Sequence, residues 1–156
     1  MSFEKNRRIV KVMGNRGERA TVGGKTYYFK SQLELKWAQY LQFLKEHHNI
    51  IDWSYETQTF YFAGEKAAPV QYTPDFRVNE AGGDIIYQET KGWHDGQTNT
   101  KLRRMAEHYP DVRIDLVLQH IPRKGSKGAH RRAIAAKYTR RIIDASVIFK
   151  QIKGII

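Results

Sequence analysis

One run of residues limits this chain more than any other: an apolar strand that leads directly into charge. Ile85-Ile86-Tyr87-Gln88-Glu89-Thr90-Lys91 is β-branched and aromatic at its start and ionic at its end, which reads as a buried strand opening onto a polar space. Ahead of it lie Gln71-Tyr72-Thr73-Pro74-Asp75-Phe76 and then Asn79-Glu80-Ala81-Gly82-Gly83-Asp84. The two glycines are expected to supply the positive-φ positions of a hairpin loop, so residues 76–78 and 85–90 should pair antiparallel. Side chains alternate along a strand, which puts Glu89 and Lys91 on one face with Ile85 and Tyr87, and Gln88 and Thr90 on the other with Ile86. Pro74 keeps Thr73 out of the helical region and stiffens the approach to Asp75. Two carboxylates brought to one point repel each other unless a cation lies between them, and oxygen ligands in that number suit Mg²⁺ or Mn²⁺.

The flanking segments give this hairpin something to pack on. Ser31-Gln32-Leu33-Glu34 opens an amphipathic helix to about His47, with Leu33, Trp37, Tyr40, Leu41 and Leu44 on one face. Ser-x-x-Glu is also a capping box, in which Glu34 would bond back to the Ser31 backbone. Residues 9–13 and 20–29 read as short strands broken by Gly14-Asn15-Arg16-Gly17 and Gly23-Gly24-Lys25. Gly24-Lys25-Thr26 resembles the end of a phosphate-binding Walker loop, but Arg19 stands where that loop requires glycine, which excludes it. Residues 53–63 alternate as one long strand, with Glu56 and Gln58 either reaching the acidic site or facing solvent at an edge.

Thr98 is expected to cap a helix to about His108, with Leu102, Met105 and Ala106 inward and Lys101, Arg103 and Arg104 outward. Residues 112–119 form an apolar strand suited to a parallel, central position, because a helix separates it from the strand before. A basic linker over 121–128 leads to a helix over 130–152, with Ile134, Tyr138, Ile142, Ala145 and Phe149 in one stripe. The fold class is therefore α/β, a mixed central sheet flanked by helices. It forms a single domain over 1–156, with a core at about 23–119 and a basic C-terminal helical extension at about 120–156.

Charge is segregated along the chain. Residues 1–30 carry eight Lys/Arg against two acids, 31–119 nine against thirteen, and 120–156 ten against one, within a net charge of +11. An acidic middle between two basic ends points to a polyanion held across the site, with Arg7, Arg8, Lys11, Arg16, Arg19, Lys101, Arg123, Lys124, Lys127, Arg131 and Arg132 as candidate DNA contacts. The absence of cysteine excludes disulfides and thiolate metal sites. No apolar run approaches a membrane span and the N-terminus lacks the apolar core of a signal peptide, so a soluble cytoplasmic protein with no membrane partner is expected.

Glu34 on the first core helix, Pro74-Asp75 before a strand and Glu89-Thr90-Lys91 ending the next together resemble the PD-(D/E)XK nuclease superfamily over about residues 23–119. Residues 24–34 and Gln88-Glu89-Thr90-Lys91-Gly92 look like small phage nucleases and related Holliday junction resolvases. The resemblance implies a restriction-endonuclease-like core and Mg²⁺-dependent hydrolysis of DNA phosphodiesters. Asp75, Glu89 and the Thr90 carbonyl would be metal ligands, Glu34 would hold a second metal or its water, and Lys91 would orient or deprotonate the attacking water. No sequence-reading motif is present, which favours branched DNA, a four-way junction above all, cut by a homodimer through the apolar side of the last helix and the isoleucine tail. Two alternatives stay open: another nuclease of the same fold (restriction-like, nickase or debranching), and a non-catalytic DNA-binding protein.

Overall fold

The computed structural model describes residues 17–155. Arg7, Arg8, Lys11, Arg16 and the strand expected over 9–13 lie outside the described residues. The chain begins with a tight hairpin, β1 (Glu18–Val22) and β2 (Lys25–Phe29). Gly23 and Gly24, with φ of 61° and 79°, make the two-residue turn that only residues without a Cβ form cheaply. Helix α1 (Gln32–Glu46) follows, its first turn capped by Ser31, whose hydroxyl accepts from the Glu34 N–H at 3.1 Å.

Five strands then build the main sheet. β3 (Ile50–Tyr55), β6 (Phe76–Glu80) and β7 (Ile85–Lys91) pair antiparallel. β8 (Arg113–Leu118) and β9 (Arg141–Asp144) continue in parallel, giving the order β3-β6-β7-β8-β9. A parallel neighbour cannot be reached by a tight turn. Accordingly α2 (Gly96–His108) connects β7 to β8 and α3 (Lys127–Ala135) connects β8 to β9. A minor pair, β4 (Phe60–Tyr61) with β5 (Gln71–Tyr72), lies apart from this sheet, and α4 (Ala145–Gln151) closes the chain. The mixed α/β architecture expected from the sequence is therefore present.

Two apolar layers sandwich the sheet. Trp37, Ala38 and Leu41 of α1 pack with Phe29, Trp53, Phe76, Val78 and Val117 on one side, joined by Ile148 and Phe149 of α4. Leu102 and Met105 of α2 pack with Phe60, Tyr72, Ile114, Leu116 and Ala135 on the other. β8 contributes Val117 to the first layer and Leu116 to the second, as a strand covered on both faces must. No helix among the described residues is long and apolar enough to cross a membrane.

Several expectations fail for local reasons. The single strand over 53–63 is two strands in different sheets, because Glu56 takes a left-handed φ of 49° and turns the chain after Tyr55. The β6–β7 loop needs only one positive-φ glycine, Gly83 at 93°, since β6 extends through Glu80 and the Glu80 N–H bonds the Asp84 carbonyl at 2.8 Å. α2 is capped by Asp95 rather than Thr98; the Asp95 carboxylate accepts from both the N–H and the hydroxyl of Thr98 at 2.9 Å. Ala106 is exposed, while Arg104 is buried and donates to the carbonyls of Ala67 and Pro69.

The largest difference is the helix expected over 130–152. It stops at Ala135, and residues 141–144 become the fifth strand of the sheet. The cause is Asp115, fully buried at the centre of β8. Its carboxylate accepts from Arg140 Nε and Nη2 at 2.9 and 2.7 Å and from Arg141 Nε at 3.2 Å, so these arginines are drawn to the edge of the sheet rather than continuing the helix. Gln88 donates to the same carboxylate at 3.2 Å and accepts from Trp37 Nε1 at 2.8 Å, tying β7, β8, β9 and α1 together. The apolar side of the last helix, expected to serve as a dimer face, spends Ile148 and Phe149 on this core.

Candidate functional site

The chain crosses the end of β7 from both sides, and the acidic residues arrive with it. Glu89 pairs in register with Leu116, whose side chain belongs to the α2 layer, whereas Thr90 pairs with Val117 of the α1 layer. Glu89 therefore enters from one face of the sheet and Thr90 from the other. Thr90 donates its backbone N–H and its hydroxyl to Asp75 Oδ2, both at 2.8 Å, which fixes Asp75 against the last turns of β7. The carbonyl of Asp75 accepts the Glu56 N–H at 2.8 Å, so the left-handed turn at Glu56 pins the Pro74-Asp75 bend from the β3 side.

Asp75 and Glu89 are each only 5% exposed. Burial, then the Glu89 and Glu34 carboxylates, push the Asp75 carboxyl up to about 8 despite the two Thr90 bonds that favour its anion. Burial likewise raises Glu89, opposed by Lys91, Tyr72 and Lys101. Tyr72 donates to Glu89 Oε2 at 2.8 Å, and Lys91 Nζ stands 3.4 Å from Glu89 Oε1. Lys91 and Glu89 thus share a face, as the strand alternation requires. Lys101, half-buried on α2, lies over the Tyr72 ring at 5.8 Å and adds positive charge beside Glu89.

Glu34 occupies both of the roles that its sequence context allows. Its Oε2 accepts the Lys30 N–H at 2.8 Å, a capping bond made one residue earlier than the capping box anticipates. The same oxygen accepts the Tyr55 hydroxyl at 2.5 Å. Tyr55 is held there by edge and tilted contacts with Tyr27, Phe29 and Phe76, and burial followed by Glu34 raises its pKa. Lys30 forms an ion pair with Glu56. Burial opposes its charge, but Glu56, Asp75 and Glu34 raise its pKa overall.

Asp75, Thr90, Glu89 and Lys91 thus gather at one strand end, with Glu34 facing Asp75 from α1. The three carboxylates do not form a tight triad: among the described residues, the one group of three acidic or histidine ligand atoms within 4.8 Å of each other is Glu65, Glu107 and His108. That group is accounted for by ion pairing, since Glu65 binds Arg104 at 3.5 Å and His108 at 3.3 Å. Glu56 and Gln58 do not join the site; Glu56 pairs with Lys30 and Gln58 is exposed. Gln88 packs in the core. Tyr55, Tyr72 and Lys30 were not singled out from the sequence, although Tyr72 lies three residues before Asp75.

Among the candidate DNA contacts, Arg19 is exposed on β1, and Arg123, Lys124 and Lys127 are exposed at the linker and the start of α3. Arg131 and Arg132 are half-buried on α3. Lys127 and Arg131 line a cleft of about 390 Å³ that also contains Lys91. Comparison with family models matches residues 16–125 to DUF1064, described as a protein of unknown function. Neither the curated proteins nor the solved structures yield a match.

Proposed function

The chain belongs to the DUF1064 family, and from the acidic site within the matched residues we propose that it is a metal-dependent DNA endonuclease acting on branched DNA. One observation carries the reading. Two buried carboxylates, Asp75 and Glu89, converge at a strand end where each is raised by burial and, among the described residues, Lys91 is the one ammonium paired with either. Such a pair is costly to keep for structure alone, because uncompensated buried charge destabilises a fold. It becomes favourable once a cation is shared.

The residues fit a hard divalent cation. The donors are carboxylate oxygens with no sulfur or imidazole among them, and among the described residues Asp75 Oδ1 and Glu34 Oε1 make no hydrogen bond, which leaves each a free lone-pair face. Asp75 and Glu89 would hold Mg²⁺ or Mn²⁺, with the Thr90 carbonyl as a further ligand, and Glu34 would hold a second ion or its water. When bound, the ion supplies Lewis-acid polarisation of the phosphodiester and a lowered pKa for its water.

The chain's own groups do the remainder. Thr90 orients Asp75 through two bonds to Oδ2, leaving Oδ1 without a hydrogen bond among the described residues. Tyr72 donates to Glu89 Oε2 and favours its anion against the burial that raises it. Lys91, half-buried beside Glu89, is placed to offset negative charge that develops on the phosphate and to exchange a proton with the attacking water. Tyr55 anchors Glu34 through a hydrogen bond to its Oε2. Lys101, Lys127 and Arg131 surround the strand end with cations that attract the DNA backbone without reading sequence.

A panel of linear duplex, flap, three-way and four-way DNA, incubated with the protein and Mg²⁺ or Mn²⁺, tests the proposal. Metal-dependent cutting of the branched forms is expected, and paired symmetrical nicks confined to the four-way form would identify a homodimeric junction resolvase. Absence of cutting on every form with either metal overturns the nuclease reading.

A further inference from the structure

The cleft beside Lys91 has a composition that the cutting chemistry does not require. It is formed by the loop after β7, the linker returning from β8 and the first turns of α3. Cations Lys91, Lys127 and Arg131 line it together with His120, and among the described residues no carboxylate does. Trp93 forms its aromatic wall and is 79% exposed, while the other two tryptophans, Trp37 and Trp53, are buried at 1% and 8%. A single exposed apolar residue on a loose loop would mean nothing. This loop, however, is braced: His94 Nε2 bonds Asn99 Oδ1 at 2.7 Å, Asn99 donates to the Arg131 carbonyl at 3.0 Å, and Arg131 Nη1 donates to the His94 carbonyl at 3.3 Å. His94 is itself buried, lines the cleft, and among the described residues its Nδ1 has no hydrogen-bond partner. The volume, about 390 Å³, lies within the range of small-ligand sites.

An exposed π face carried on a braced loop and three cations are complementary to a base joined to a phosphate. A base inside a duplex has both faces covered by its neighbours and cannot stack on Trp93. We propose that this cleft binds one unpaired nucleotide of the substrate strand, its base on Trp93 and its phosphate against Lys127 and Arg131, so that the substrate class is DNA with single-stranded nucleotides next to the phosphate presented to Lys91. The position relative to the cut rests on the nuclease reading. The binding site does not.

Tryptophan emission of the full chain, titrated in EDTA with a short oligothymidylate and with a blunt duplex, tests this without catalysis. Because Trp93 is the exposed tryptophan, the oligothymidylate is expected to quench its emission and the duplex is not. Trp93→Ala should abolish the quench and weaken oligothymidylate binding about tenfold with duplex binding unchanged, while Trp93→Phe restores most of the affinity. Lys127→Ala should reduce the salt dependence of oligothymidylate binding by about one charge. Equal quenching by both DNAs, or equal oligothymidylate affinity in Trp93→Ala, overturns the cleft. Metal-dependent cleavage accompanied by Trp93-independent binding overturns the cleft alone. Trp93-dependent binding by a protein that cuts nothing supports the cleft and overturns the nuclease reading.

Discussion

Asp75 titrates where buffers are easily varied, and this makes its role in stability measurable before any DNA is added. Its carboxyl is pushed up to about 8, first by burial and then by Glu89 and Glu34, from an ordinary 3.8. Between those values the folded chain keeps a proton that the unfolded chain has released. Stability therefore falls as pH rises through this window, by about 1.4 kcal/mol per pH unit, and the loss levels off above about pH 8. From pH 5 to 8 the deficit reaches about 4 kcal/mol, a large part of the roughly 5–15 kcal/mol available to a domain. Asp75→Asn removes the titration and keeps an oxygen able to accept both Thr90 bonds. Urea denaturation of both proteins in EDTA, at intervals from pH 5 to 9, should give curves that diverge steadily in favour of the variant up to about pH 8. Mg²⁺ should recover stability in the parent at high pH, because a ligand that binds only the folded, deprotonated site adds to its stability, and should leave the variant unchanged. Parallel pH curves for the two proteins would mean instead that Asp75 is ionised in the free site at ordinary carboxylate pH.

Three further outcomes are expected. Lys91→Met should reduce the metal-dependent cleavage rate by roughly 10²- to 10⁴-fold under single-turnover conditions while DNA affinity changes little, as befits a proton-exchanging group. Tyr72→Phe removes the donor to Glu89 Oε2 and should lower stability by about 1–3 kcal/mol, as read from denaturation midpoints, because a buried carboxylate oxygen is left without its partner. Asp115→Ala should destabilise by about 3–5 kcal/mol, because Arg140 and Arg141 lose the carboxylate that draws them to the sheet; hydrogen exchange should show β9 opening first.

What could be read in the sequence was what local pattern decides. Period-two alternation with a glycine-bearing loop specified the β6–β7 hairpin, and the 3.6-residue stripe after Ser31 specified α1. The pairing of Glu89 with Lys91 follows from alternation alone. Failures came where a distant partner decides conformation. Residues 130–152 carry a helical stripe, yet Asp115 in another strand pulls Arg140 and Arg141 into the sheet. A lone aspartate inside Ile114-Asp115-Leu116-Val117 was the available signal, because a buried carboxylate needs cations from elsewhere in the chain. Arg104 was misplaced for the same reason: its partners are the carbonyls of a distant loop. Tyr55 and Tyr72 gain their meaning only when β3 and β5 bring their hydroxyls to Glu34 and Glu89.

Asp75 and Glu89 are proposed to hold the metal on which DNA cleavage depends. The most direct test is the initial rate of Mg²⁺-dependent nicking of a branched DNA by the parent chain, Asp75→Asn and Glu89→Gln, measured at matched DNA occupancy. The parent is expected to cut and to lose cutting on chelation, and both variants to lose cutting with DNA binding retained. Either variant nicking the same DNA at the parent's rate with Mg²⁺ would contradict it.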